Sequence, residues 1–62
     1  MSLTARMIDL ADKLSESLKD SEKFENGNDA AGKRVRKVCA EVANECKELR
    51  AEIQQIRNHR KS

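Results

Sequence analysis

The sequence predicts an all-α fold: an antiparallel helical hairpin of two long helices, dimerising into a four-helix bundle or coiled coil. Three observations carry that expectation. Apolar residues recur with 4-3 spacing in two separate runs. One glycine-bearing break, "ENGND" at 25–29, divides the runs. The composition also suits rods better than a sheet or an enclosed pocket. Hydrophobic residues make up 37% and charged residues 39%, with no Pro, Trp or Tyr and a single aromatic, Phe24.

The first helix is expected over about residues 3–25. Leu3, Met7, Leu10, Leu14, Ser17, Ser21 and Phe24 fall on one helical stripe, which Ala11 and Leu18 widen. Asp9, Lys13, Glu16, Asp20 and Lys23 point away, and Ser2 or Thr4 can cap the start. Serines at 17 and 21 weaken the seam. The turn is expected at 26–28. Asn26 or Gly27 can adopt the left-handed conformation that ends a helix, and Asn28 can cap the next one.

The second helix is expected from about Asp29 to about Asn58, with a basic tail at 59–62. Its stripe runs Val35, Cys39, Val42, Cys46, Leu49, Ile53, Ile56, with Ala31 and Val38 beside it. Folding about the turn pairs positions whose numbers sum to about 55–56, so Phe24 meets Ala31, Leu14 meets Val42 and Met7 meets Leu49. Sixty-two residues form one domain without a self-sufficient core. A homodimer is therefore expected, with Leu14, Val35, Val42, Cys46, Leu49, Ile53 and Ile56 forming the core and the dimer contact.

Net charge is only +2, but it is unevenly placed. Residues 1–25 hold four cations and six acids, whereas 26–62 hold nine cations and five acids. The second half is thus the one that faces an anionic partner. No apolar run approaches the ~18 residues of a membrane span and no signal-peptide core follows Met1, so a cytoplasmic chain with no membrane partner is expected.

The stretch "GNDAAGKRVRK", residues 27–37, concentrates both glycines and four cations. With Val35, Val42 and Cys46 as the core direction, Lys33 and Lys37 point away from it and Arg34 and Arg36 lie on its flanks. Like charges at i,i+4, and cations near a helix N-terminus, both work against the helix. An anion resolves the conflict: free amides at the helix start and the nearby cations could converge on a phosphate. Gly32, inside a helix at a cost of roughly 1 kcal/mol against alanine, would let a backbone approach. The competing reading pairs the four cations with Glu22 and Glu25 across the turn and leaves Gly32 merely clearing room for Phe24.

The same stretch resembles the signature G-N-x-A-A-G-x-R-x-R-K of the bacterial linker-histone-like proteins, the family of the chlamydial histone-like nucleoid protein and its Bacteroidota relatives. The match comprises Gly27, Asn28, Ala30, Ala31, Gly32, Arg34, Arg36 and Lys37. "ELRAEI" at 48–53 is similar to the family's later helix, so the likeness spans roughly 24–54. The resemblance implies a small helical DNA-binding protein of the nucleoid, with the signature near the DNA. Chlamydial members carry a long lysine- and alanine-rich tail, where this sequence ends "RNHRKS". Asp29 stands where relatives are often basic. Both departures imply weaker affinity per chain and more reliance on multivalency through the dimer.

Cys39 and Cys46, seven residues apart, are separated by ~10 Å of helix, too far for an internal disulfide, and read as buried reduced thiols, with a disulfide across a dimer axis as the alternative. His59 reads as solvated, and Phe24 as the core plug at the hairpin tip. Arg57, Arg60 and Lys61 could add a second, non-specific phosphate contact, or equally form a solvated helix end. No nucleophile–base pair, phosphate loop, metal set, cofactor site or small-molecule pocket presents itself, so no enzyme is expected.

The expected function is therefore a small nucleoid-associated protein that binds double-stranded DNA through phosphates with low sequence specificity, compacting, bridging or bending it as a dimer. Lys33, Arg34, Arg36 and Lys37 would make the contacts, with Asn28 and Gly32 shaping the site. RNA shares the chemistry, and charge does not separate the two. The alternative is a helical self-assembly or protein-interaction module whose cations serve solubility.

Overall fold

The computed structural model describes residues 2–61, so Met1 and Ser62, the two ends of the expected domain, lie outside the described residues. It contains helices α1 (Leu3–Glu16), α2 (Leu18–Glu25) and α3 (Asp29–Lys61), with no strand among the described residues. The molecule measures 54 × 16 × 14 Å. That long axis is close to the ~50 Å expected for the 33 residues of α3. Helices α1 and α2 together fold back along it.

Ser2 caps α1, its Oγ accepting from the Ala5 amide at 3.1 Å. The rod expected over 3–25 is divided at Ser17. There the Ser17 amide donates to the Leu14 carbonyl at 3.1 Å, and the hydroxyl donates to the same oxygen at 2.7 Å. A serine that bonds back to the preceding turn competes with the helical ladder and bends it. The ladder resumes at once, with the Ser21 amide donating to the Ser17 carbonyl.

At the tip, Gly27 has φ +103°, a conformation open to glycine and costly for other residues. Its amide donates to the Phe24 carbonyl and the Asn28 amide donates to the Lys23 carbonyl. These two bonds are the Schellman pattern that satisfies the last carbonyls of α2. Asn28 then opens α3, its Oδ1 accepting from the Ala31 amide at 3.1 Å. One residue thus closes α2 and caps α3, which is why the turn is so short.

The fully shielded core is small: Leu10 at 7% exposure, Leu49 at 6% and Ala31 at 0%. Along α3 the half-buried positions Val35, Val38, Val42, Glu45 and Glu52 continue the line through Ala31 and Leu49. Along α1 and α2 the line passes through Leu3, Arg6, Leu10, Lys13, Ser17 and Asp20. The register is the expected antiparallel one. Ion pairs Arg6–Glu52, Lys13–Glu45, Lys13–Glu41 and Asp20–Arg34 join positions summing to 54–58.

The seam, however, is rotated from the expected stripe. Met7 is 56% exposed and Leu14 43%, so neither is a buried partner for Leu49 or Val42. Cys39 and Cys46 are exposed free thiols rather than buried ones. The cause is that both helices carry more apolar positions than one partner can cover. Val35, Val42 and Leu49 belong to both possible stripes. The hairpin uses the flank containing Val38, because that flank also brings Lys13 and Arg6 onto Glu45 and Glu52. Met7, Leu14, Cys39, Cys46 and Ile53 are left one step around, and in an antiparallel pair those steps fall on the same side. The hairpin therefore has a charged side, clamped by ion pairs, and an apolar side open to solvent.

Candidate nucleic-acid interface

The basic cluster begins one turn into α3, with Lys33 to Lys37 as the fifth to ninth residues of the helix that Asn28 caps. Lys33, Arg34, Arg36 and Lys37 are all exposed. Lys33, Arg36 and Lys37 form no ion pair among the described residues.

Arg34 differs. Its Nε donates to Asp20 Oδ2 at 3.1 Å and its Nη2 donates to Asp20 Oδ1 at 3.0 Å. This planar two-point grip is the geometry that favours arginine over lysine. The hydrogen bonds, reinforced by the attraction of the opposite charges, hold the Asp20 carboxyl below the usual carboxylate range and raise the Arg34 guanidinium further. The partner is Asp20, two and five residues before Glu22 and Glu25, the partners that the sequence suggests. The numbers 20 and 34 sum to 54, whereas Glu22 with Arg34 meets the expected 55–56, so the pairing rule alone pointed to the glutamate and not to Asp20.

Gly32 sits beneath the ring of Phe24. A Cβ at position 32 would lie 2.4 Å from Phe24 Cδ1 and 2.7 Å from Cε1. The glycine is therefore the floor on which Phe24 lies. Phe24 itself remains half exposed, a lid on the tip rather than an enclosed plug. The amides expected to be free for an anion are engaged within the chain. Ala31 N donates to the Asn28 side chain, and Gly32 N to the Asn28 carbonyl at 3.3 Å. Asn28 and Gly32 thus build the tip, and the cationic side chains supply what the tip presents.

On the charged side of the hairpin, Lys13 reaches Glu45 at 3.0 Å and Glu41 at 3.8 Å, while Arg6 pairs with Glu52. The hydrogen bond to Glu45, with the field of both glutamates, raises Lys13 above its usual value. At the far end of α3, Arg57, Arg60 and Lys61 are exposed. Helix extends through Lys61, so these cations sit at the end where the helix dipole favours positive charge.

The described residues thus form a small helical hairpin with a thin core, an open apolar side and a cationic tip. The chain belongs to the family of the Histone H1-like protein Hc1, whose model matches residues 3–59. No curated protein and no solved structure shows a significant match to it. Among the described residues, no helix is long and apolar enough to cross a membrane.

Proposed function

We propose that this chain is a nucleoid-associated, sequence-tolerant binder of double-stranded DNA that acts as a homodimer. The observation that carries the reading is the histone H1-like family match over nearly the whole chain, and the unpaired cations of the tip give it a mechanism. Lys33, Arg36 and Lys37 contact phosphates, and Arg34 joins them when a phosphate displaces Asp20. Such contacts position a protein on DNA without reading sequence, and no recognition-helix pattern adds base readout; Phe24, the single aromatic, is half exposed but lies with its ring against Gly32. RNA is distinguished from DNA by direct competition, not by charge.

The dimer is supported by the open apolar side. Met7, Leu14, Leu18, Ile53 and Ile56 are each between 38% and 61% exposed. Three shielded residues are too few to hold a 62-residue chain by themselves. A second hairpin laid on that side would cover them and give a four-helix bundle with two cationic tips. The same exposed residues also favour the second reading, helical self-assembly without nucleic acid.

A salt titration of duplex affinity separates the two. Three phosphate contacts per protomer predict a slope of log K against log salt of about −2.7, and four predict about −3.6. A Lys33→Gln, Arg36→Gln, Lys37→Gln variant should keep its helicity and oligomeric mass while most duplex binding disappears. Unchanged binding by that variant would remove the tip as the site. Absence of duplex binding by the parent at low salt would leave the self-assembly reading.

A further inference from the structure

The cations of α3 are sorted around the helix, not scattered. The positions 33, 36, 40, 43, 47, 50, 54, 57 and 61 follow 3-4 spacing and form one continuous stripe. They hold Lys33, Arg36, Lys47, Arg50, Arg57 and Lys61, with Ala40, Ala43 and Gln54 between them and no acid. All six cations are exposed and none forms an ion pair among the described residues. The acids of α3 beyond Asp29 lie on the other side, at 41, 45, 48 and 52. Three of those four are held by Lys13 and Arg6 of α1.

We propose that this stripe along the outer face of α3 is an extended duplex-binding track, in which Lys47 and Arg50 are phosphate contacts continuing those of the tip. The proposal rests on the DNA-binding reading above and adds to it a second set of residues, a direction and a length. From residue 33 to residue 61 the helix rises ~42 Å, the length of about twelve base pairs at 3.4 Å per phosphate of one strand. The rod and the duplex therefore lie side by side instead of meeting end-on at the tip.

Two features favour duplex backbone over other polyanions. The stripe positions themselves carry only alanine as apolar side chains, with Ile53 bordering Arg50 and Arg57, so the stripe lacks the continuous row of large hydrophobic side chains that seats a helix in a lipid interface. It holds no aromatic residue on which the bases of a single strand would stack. The alanines at 40 and 43 leave its middle low, so a rigid backbone can run past without obstruction. Apart from Asp29, four residues before Lys33, no acid stands three or four residues from these lysines and arginines, where a helix optimised for its own stability would place them. Here the acids are drawn to the seam and the outer face stays uniformly positive.

The test compares Lys47→Gln, Arg50→Gln with a charge-matched control, Lys19→Gln, Lys23→Gln, on α2. All four side chains are exposed and unpaired, and glutamine has nearly the helix propensity of lysine and arginine, so both variants should stay as helical as the parent. Affinity for a duplex of about twenty base pairs is measured by fluorescence anisotropy across a salt series. The stripe variant should lose about 1.8 from the slope and bind tens of fold more weakly at 0.1 M salt, by the ~0.9-per-contact rule. The control should change by far less. If the parent binds and the two variants weaken alike, the track is wrong while the tip reading survives. If the parent binds no duplex at low salt, both fall together.

Discussion

The Asp20 carboxylate occupies the Nε–Nη2 edge of Arg34, one of the two edges through which a guanidinium can grip a phosphate. An Asp20→Asn variant should therefore bind duplex more tightly and show a salt slope steeper by about 0.9, one added contact. A slope identical to the parent would mean that Arg34 never reaches DNA. Acid should act in the same direction on this pair. The Asp20 carboxyl is held below its ordinary value, so the stabilisation it lends the tip is present above about pH 4. It is lost as pH falls through the lower folded value. Arg34 is exposed and Asp20 only partly shielded, so the effect on overall stability is small and belongs to the tip. At this scale the sequence shows which cations are available and points to Glu22 and Glu25 as their partners, whereas Asp20 is the carboxylate that holds Arg34. Charge is visible in a sequence, whereas which of Asp20, Glu22 and Glu25 faces Arg34 depends on how α2 leaves the break at Ser17.

The junction of α2 and α3 is held by three devices acting together: the left-handed Gly27, the Asn28 cap, and the Phe24 ring lying on Gly32. The first two were readable in "ENGND", because glycine and asparagine have distinct backbone chemistry there. The third is a matter of packing, and sequence offered it only as one of two uses for Gly32. It is checked by a double-mutant cycle. Gly32→Ala alone should not yield the ~1 kcal/mol that helix propensity promises, because the new methyl displaces the ring. In a Phe24→Ala background the same change should stabilise by about 1 kcal/mol, giving a coupling on the order of 1–2 kcal/mol in chemical denaturation. Equal effects in both backgrounds would show that the ring does not rest on the glycine. The Ser17 division and the rotated seam were less legible. Spacing marks an apolar stripe, but choosing between two overlapping stripes needs the ion pairs of Arg6 and Lys13 with α3, which periodicity does not contain.

Taken whole, the protein is a rod 54 Å long with opposite characters on its sides: ion pairs on one, apolar side chains on another, and unpaired cations on the back of α3. The all-helical hairpin was legible because one break between two periodic runs admits few other topologies. The candidate site was only partly so. A run such as KRVRK is conspicuous, whereas a stripe assembled from positions three and four apart over 28 residues emerges only when the helix is seen to be continuous from Asp29 to Lys61. The two free cysteines turn this division of sides into a measurement. Cys39 and Cys46 lie on the flank that a second copy would cover, and both are open in the single hairpin. Their alkylation by a maleimide then serves as a native footprint of assembly. Slow labelling at high protein concentration should become fast on dilution, while a rate independent of concentration would mean that this flank stays bare.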